Sequence, residues 1–400
     1  MTLARALPIT AYTATCAMGR GIQALRSGLA QSRSFLTPCD FMGLSLPTFV
    51  GEVLGVDDER LPDELTAFDC RNNRLAAIGL KQDGFADAVR RSTARFGVDR
   101  VGVFLGSSTS GLLQTEIAYR HRDSGTGALP GGLDYAHTHN MYSLARFVRA
   151  ALGLNGPASV TSIACASSSK VFASAARAIA AGVVDAAVVG GVDTLCLTTL
   201  YGFGSLELLS TEPCRPYDVA RNGISIGEAS AFALLERSTD SPCQSWLVGW
   251  GESSDAYHMS TPHPEGAGAR AAMQKALSSA GLDPTAIDYV NLHGTATPSN
   301  DRSEDLAVWS VFGDRVPVSS TKGAHGHTLG AAGALEAIVG LLAIADGVIP
   351  GGCNLRERDT LLRCDYRHLN ASGPIKRVMS NSFGFGGANC ALILSGTGAQ

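Results

Sequence analysis

The sequence predicts an α/β protein assembled from two similar halves. Three observations carry this. Strand-like and helix-like segments alternate along the chain; glycine is abundant, at 46 residues, while charged residues make up only 17%; and a pattern in the middle of the chain returns near its end. Few charges and many glycines fit buried strands packed closely against helices. A chain of 400 residues exceeds the usual single-domain length, so two domains or two fused halves are expected.

Short runs of β-branched and apolar residues predict strands at 101–106, 158–164, 185–192, 229–236, 245–251, 287–292, 316–321, 377–382 and 389–395. Apolar positions at helical spacing (Val171, Ala175, Ala178, Ile179) predict a helix after residue 165, and others are expected at 266–280 and 328–345. The alternation predicts a largely parallel sheet or sheets. For the repeat, VTSIACASSSKVFASAARAIAAGVVDAAVV from Val160 lies beside VSSTKGAHGHTLGAAGALEAIVGLLAIADGVI from Val318, each running from strand through polar turn to small-residue helix. GEASAFALL from Gly227 matches GGANCALIL from Gly386 at nearly the same offset. The join is placed in the polar, proline-containing stretch 238–245 (STDSPCQS), which gives halves 1–240 and 241–400.

A net charge of -4 argues against bulk attraction to nucleic acid or membranes, while leaving room for a local basic patch. The ten cysteines are scattered without a C-x-x-C pair, which reads as reduced thiols in a cytoplasmic protein. The opening MTLARALPIT lacks a long apolar core, and no continuous apolar run reaches the roughly 18 residues of a bilayer span. No dinucleotide or phosphate-binding glycine motif is complete. GSSTSG at 106–111 misses the serine-hydrolase frame. His325 with His327, and His137 with His139, lack the further ligands a metal site requires, so no metal is expected.

Four segments place polar groups where strands end. In TSIACASSS, Cys165 stands where a strand hands over to a helix, and the free N–H groups of a helix start favour a thiolate. The competing reading is a buried, inert cysteine. NLHGTATPSND (291–301) offers His293 after an apolar strand, either as a functional group or as a structural hydrogen bonder. SSTKGAHGHTLGAAGALEA (319–337) sets Lys322 and His327 about a glycine-rich turn. NSFGFGGAN (381–389) carries glycines that permit close approach of main-chain N–H groups to a ligand.

In this order and spacing, the four segments resemble the β-ketoacyl-acyl-carrier-protein synthases of the thiolase superfamily, in the branch that elongates fatty-acid and polyketide chains. The resemblance spans about residues 8 to 396. It implies a thiolase-like five-layered αβαβα fold built from two similar halves, and a decarboxylative condensation of an acyl group with malonyl-acyl carrier protein. By the same resemblance Cys165 takes the acyl chain as a thioester, activated by the helix start rather than necessarily by a paired base. His293 and His327 donate Nε2 hydrogen bonds to the malonyl thioester oxygen, and Lys322 pairs with Glu336. The N–H groups of Cys165 and Phe385 form an oxyanion hole. Phe385 gates the acyl chain, Thr295 and Thr297 hold the pantetheine arm, and Phe203 lines the acyl pocket. His325 stands where the family usually has threonine, either reaching the site or serving the turn.

No bound cofactor is implied, since the substrates ride on the phosphopantetheine of acyl carrier protein. Arg71 and Arg74, one helical turn apart, match the family's helix for docking that acidic partner. The resemblance implies a dimer, with an identical or a related subunit. The competing functions are a non-catalytic chain-length partner, which lacks the nucleophile, and a coenzyme A thiolase, which carries a second catalytic cysteine near the C-terminus. Here Cys165, His293 and His327 are all present, and Cys390 falls inside the last strand. Alanine-rich flanks and His325 lean toward a specialised polyene or polyketide chain rather than ordinary fatty acids.

Overall fold

The structure is a computed structural model that describes residues 5–240 and 242–398. Ten principal strands form two five-stranded units. The first holds β1 (Leu7–Cys16), β2 (Val101–Gly106), β3 (Ala158–Thr161), β4 (Ala186–Asp193) and β5 (Ala229–Glu236). The second holds β6 (Trp246–Ser254), β7 (Tyr289–Asn291), β8 (Pro317–Ser319), β9 (Arg377–Gly384) and β10 (Ala388–Ser395). Strand order is β3-β2-β4-β5-β1 in one and β8-β7-β9-β10-β6 in the other, so each unit repeats the other's order. They meet edge to edge where β1 pairs with β6 at Leu7–Leu247 and Pro8–Trp246.

The sheet is less parallel than the alternation of elements predicts. In each unit the three outer strands run parallel, and the pairings toward the centre, β4–β5, β5–β1, β9–β10, β10–β6 and β1–β6, are antiparallel. One cause is local: β9 and β10 are joined by only Phe385–Gly387, too short for a crossover, with Gly386 and Gly387 at φ near +77° and +76°. The sequence reading also missed β1, a ten-residue central strand whose LPITAYTATC mixes threonines with apolar residues.

Helices α1 (Arg71–Leu80), α2 (Ser167–Ala180), α3 (Ala267–Ala280), α4 (Pro298–Phe312) and α5 (Ala332–Asp346) place the site. α2 and α5 pack on each other and on strands of both units, forming the middle layer, while α1 covers the first unit from outside and α3 with α4 the second. The central core joins Val171 and Phe172 of α2 to Leu335 and Ile338 of α5. Separate outer cores lie beneath Val103 and Phe147 on one side and beneath Val290 and Met379 on the other. Two outer helical layers, two sheet layers and a helical centre are the five-layered arrangement.

The small residues of α2 and α5 follow from this crowding. A Cβ at Gly106 would collide with the backbone of Ser168, and one at Gly333 would lie 2.6 Å from the Ser169 nitrogen. The Ala334 N–H donates to Ser168 Oγ at 2.9 Å, tying the two central helices at their first turns. One stretch among the described residues, Leu329–Asp346, is long and on average apolar enough to cross a membrane, although Glu336 interrupts it; 83% of it lies inside the protein.

Candidate active site

The chain turns sharply between β3 and α2. Ala164 adopts a left-handed φ of +54°, which sets Cys165 immediately before Ala166, the residue that caps the start of α2. Ser167 Oγ donates to the Ala164 carbonyl at 2.6 Å and accepts the Ile163 N–H at 2.9 Å, bracing the bend from within. Cys165 is 6% exposed. Its own N–H and that of Phe385 are directed at Sγ. Gly384 lets the Phe385 loop come this close, because a Cβ there would stand 3.1 Å from both the Cys165 nitrogen and the Ile163 oxygen.

The expectation of a thiol acidified by the helix start is corrected here. Burial is the largest influence on the Cys165 thiol and, against the lowering pull of the Lys322 charge and the Phe385 N–H, leaves it raised to about 11. A partner is present as well. His327 Nε2 lies 2.9 Å from Sγ. The Leu329 N–H donates to His327 Nδ1 at 3.2 Å, so the ring hydrogen resides on Nε2 and is offered to the sulfur.

His293 follows β7, and its ring stands edge-on to that of His327 with centroids 5.2 Å apart. Its position is fixed from below by Glu304 of α4, which accepts the N–H groups of His293 at 2.8 Å and Gly294 at 2.7 Å. Burial pushes the Glu304 carboxyl up to about 7. The sequence reading missed this residue, although a carboxylate eleven positions after the histidine on the next helix was its only local trace. Lys322 is fully buried, donates to the His293 carbonyl at 2.5 Å and forms an ion pair with Glu336. Both imidazoles are held well below their usual range, by burial first and the Lys322 charge second, and are therefore neutral.

Sγ and the nitrogens of His293 and His327 fall within 4.8 Å of one another, a set that metal ions favour elsewhere. Two features oppose a cation here. The Nε2 of His327 carries hydrogen rather than a free lone pair, and the Lys322 charge is close enough to depress both rings.

A pocket opens over the cysteine, lined among others by Phe203, Thr295, Thr297, Phe383 and Phe385. The Phe203 and Phe385 rings sit 5.7 Å apart across it. Thr295 and Thr297 hydroxyls are 2.9 Å apart, and Thr297 also caps α4. His325 stays out of the pocket, fully buried, with both ring nitrogens bonded within its own turn.

The docking assignment of Arg71 is also corrected. Arg71 is 3% exposed and donates through two nitrogens to Glu228 at 2.8 and 2.9 Å, with Glu52 and Asp57 completing its partners. Glu228 lies 157 positions away and also accepts the Leu195 and Val53 N–H groups, so Arg71 braces the interior instead of meeting a partner. Arg74 is half-buried and paired with Asp69 at 2.5 and 2.6 Å.

Comparison with known proteins agrees with this geometry. Residues 75–241 match the β-ketoacyl synthase N-terminal domain and residues 245–356 its C-terminal domain. The chain is 37% identical over 318 residues to a 3-oxoacyl-[acyl-carrier-protein] synthase 2 of Coxiella burnetii, covering 74% of this chain and 75% of that one. It is 32% identical to nodulation protein E of Rhizobium meliloti over 97% of its own length and 98% of the relative's. Among solved structures, the ketosynthase of Xenorhabdus doucetiae in complex with its chain length factor superposes with a TM-score of 0.88 at 37% identity over 98% of both chains. A β-ketoacyl synthase from Burkholderia phymatum gives 0.87 at 29% identity over 99% and 100%. With matched domains over more than half its length, and a cysteine, two histidines and a lysine drawn together from both of its halves, the chain belongs to the β-ketoacyl-acyl-carrier-protein synthase family of the thiolase superfamily.

Proposed function

We propose that the chain extends a carrier-bound acyl group by two carbons, through an acyl-enzyme on Cys165. The observation that carries this is the convergence of one thiol and two neutral imidazoles within 4.8 Å. In the first half-reaction Sγ attacks the carrier thioester, and the thiol proton leaves with the pantetheine sulfur. The oxyanion is held by the Cys165 and Phe385 N–H groups. Malonyl thioester then binds with its oxygen toward His293 and His327, whose N–H groups stabilise the enolate as carbon dioxide departs. The enolate carbon attacks the acyl thioester, the carbon–sulfur bond to Cys165 breaks, and the thiolate takes up from solvent the one proton the net condensation consumes. The Lys322 charge, held in place by its pairing with Glu336, keeps both rings neutral and therefore able to donate.

The same reading has no resident cofactor and makes acyl carrier protein the partner. Likeness to a ketosynthase solved with its chain length factor, and to a ketosynthase/chain length factor described for ishigamide, supports a heterodimer with a related subunit over a homodimer, and a specialised polyene or polyketide chain as substrate. Halves 1–240 and 241–400, and a cytoplasmic location, belong to this proposal. The non-catalytic alternative loses support from the presence of Cys165 and both histidines.

Intact-mass measurement after incubation with acyl carrier proteins bearing chains of different length and unsaturation tests the proposal. One acyl adduct is expected on the wild-type protein and none on Cys165→Ser. An undiminished adduct on the serine variant overturns the assignment.

A further inference from the structure

We propose that His325 is a positioning residue, whose imidazole staples together the two ends of the turn that carries Lys322 and His327. The proposal rests on His327 being a donor in the reaction above. The segment has two tasks within six residues: Lys322 must face Glu336 and the His293 carbonyl, and His327 must face Cys165. Between them lies only the single turn Lys322–His325, closed by Gly326 at φ +80°. One isolated turn is too short to hold its own shape.

The His325 ring supplies the missing restraint. Its Nδ1 is 2.8 Å from the Gly326 carbonyl and its Nε2 is 3.0 Å from Thr321 Oγ1. A carbonyl only accepts, so Nδ1 carries the hydrogen and Nε2 accepts from the threonine hydroxyl. The residue immediately before Lys322 is thereby joined to the residue immediately before His327. On the opposite side the His325 carbonyl is wedged against Gly51 and Gly227, at positions where a Cβ would collide. The next peptide is fixed as well: the His327 N–H donates to the Ser225 carbonyl at 2.7 Å, and its own carbonyl accepts the Gly227 N–H at 2.9 Å. Burial holds the ring far down, at about 3, so it stays neutral and the staple persists at any working pH. Threonine, which the family resemblance gives at this position, offers a single hydroxyl and cannot make both bonds as donor and acceptor at the two ends of a ring.

The experiment compares wild type, His325→Ala and His325→Asn, the last keeping a donor near the Nδ1 position. Three quantities are read: kcat and KM for carbon dioxide release from malonyl-acyl carrier protein, the pH profile of Cys165 alkylation by iodoacetamide, and the histidine imidazole N–H signals. For the alanine variant we expect kcat to fall about ten- to hundredfold, the size of a small misplacement of a reacting group, with KM within about twofold. Its alkylation profile should move to higher pH, because the His327 N–H no longer supports the thiolate, and the His327 Nε2–H signal should shift or vanish. Asparagine should recover most of the loss. Full kcat in a folded alanine variant overturns the proposal, and so does equal loss in both variants with an unmoved alkylation profile. Should wild type release no carbon dioxide, the condensing function fails instead, and the alkylation and imidazole readings still decide the staple.

Discussion

His327 presents Cys165 with a hydrogen rather than a lone pair: Nε2 stands 2.9 Å from Sγ while Nδ1 is taken by the Leu329 N–H. A ring held this way stabilises negative charge at one point, first on sulfur and then on a thioester oxygen, without becoming charged itself.

The two halves of the chemistry should therefore separate by mutation. Cys165→Ala and Cys165→Gln lose acylation yet still release carbon dioxide from malonyl-acyl carrier protein, since both oxygen-binding donors remain. His293→Ala and His327→Ala each retain some acylation of Cys165 and lose decarboxylation by roughly two to three orders of magnitude, the size of a deleted oxyanion donor. Carbon dioxide release measured beside acyl-enzyme mass checks this, and wild-type decarboxylation by both histidine variants would count against the mechanism.

The buried ion pair predicts opposite shifts in thiol reactivity. The Lys322 charge lowers the Cys165 pKa and Glu336 raises it. Lys322→Met should thus move the alkylation profile to higher pH, and Glu336→Gln should move it to lower pH, relative to a wild-type thiol that burial has raised to about 11. Iodoacetamide rates between pH 7 and 10 on folded variants give the sign directly.

Gly384→Ala should injure acyl transfer selectively. Its φ of -105° suits alanine, so only the tight approach to the Cys165 turn matters: a Cβ 3.1 Å from the Cys165 nitrogen and the Ile163 oxygen makes the loop give by a few tenths of an ångström and draws the Phe385 N–H away from Sγ. Acylation is expected to fall about a hundredfold while decarboxylation, served by the histidines, falls far less. Pre-steady-state acylation followed by mass spectrometry compares the two.

Arg71→Met should destabilise the protein by about 3–5 kcal/mol, because Glu228 is left buried without its cation. Activity toward carrier-bound substrates and toward small thioester mimics should decline together. A selective rise in KM for the carrier protein, with thermal stability unchanged, would restore Arg71 to a docking role.

The nine strands expected from apolar runs all appear, some shortened, since each is a compact stretch bounded by turn residues. β1 escaped notice because threonines at Thr10, Thr13 and Thr15 break its apolar pattern, and its environment is set by β5 and β6, which are over 200 positions away. Strand direction was equally hidden, since nothing in one strand's composition records the orientation of its neighbour. The site was legible where residue type and strand ends coincide, as at Cys165 and His293. What controls those residues was not: the Leu329 N–H acts through the backbone, and Glu228 reaches Arg71 across most of the first half. A surface role for Arg71 failed for that reason, as helical spacing fixes a face but does not say what covers it.

The shared central layer also limits how such a protein can be divided. α2 is enclosed partly by strands of the second unit, and α5 partly by strands of the first. A cut between Glu236 and Trp246 would strip α2 of the cover it takes from the second unit and α5 of that from the first, so each fragment is expected to expose apolar helix surface. Complementation from separately made fragments would require them to meet before either collapses.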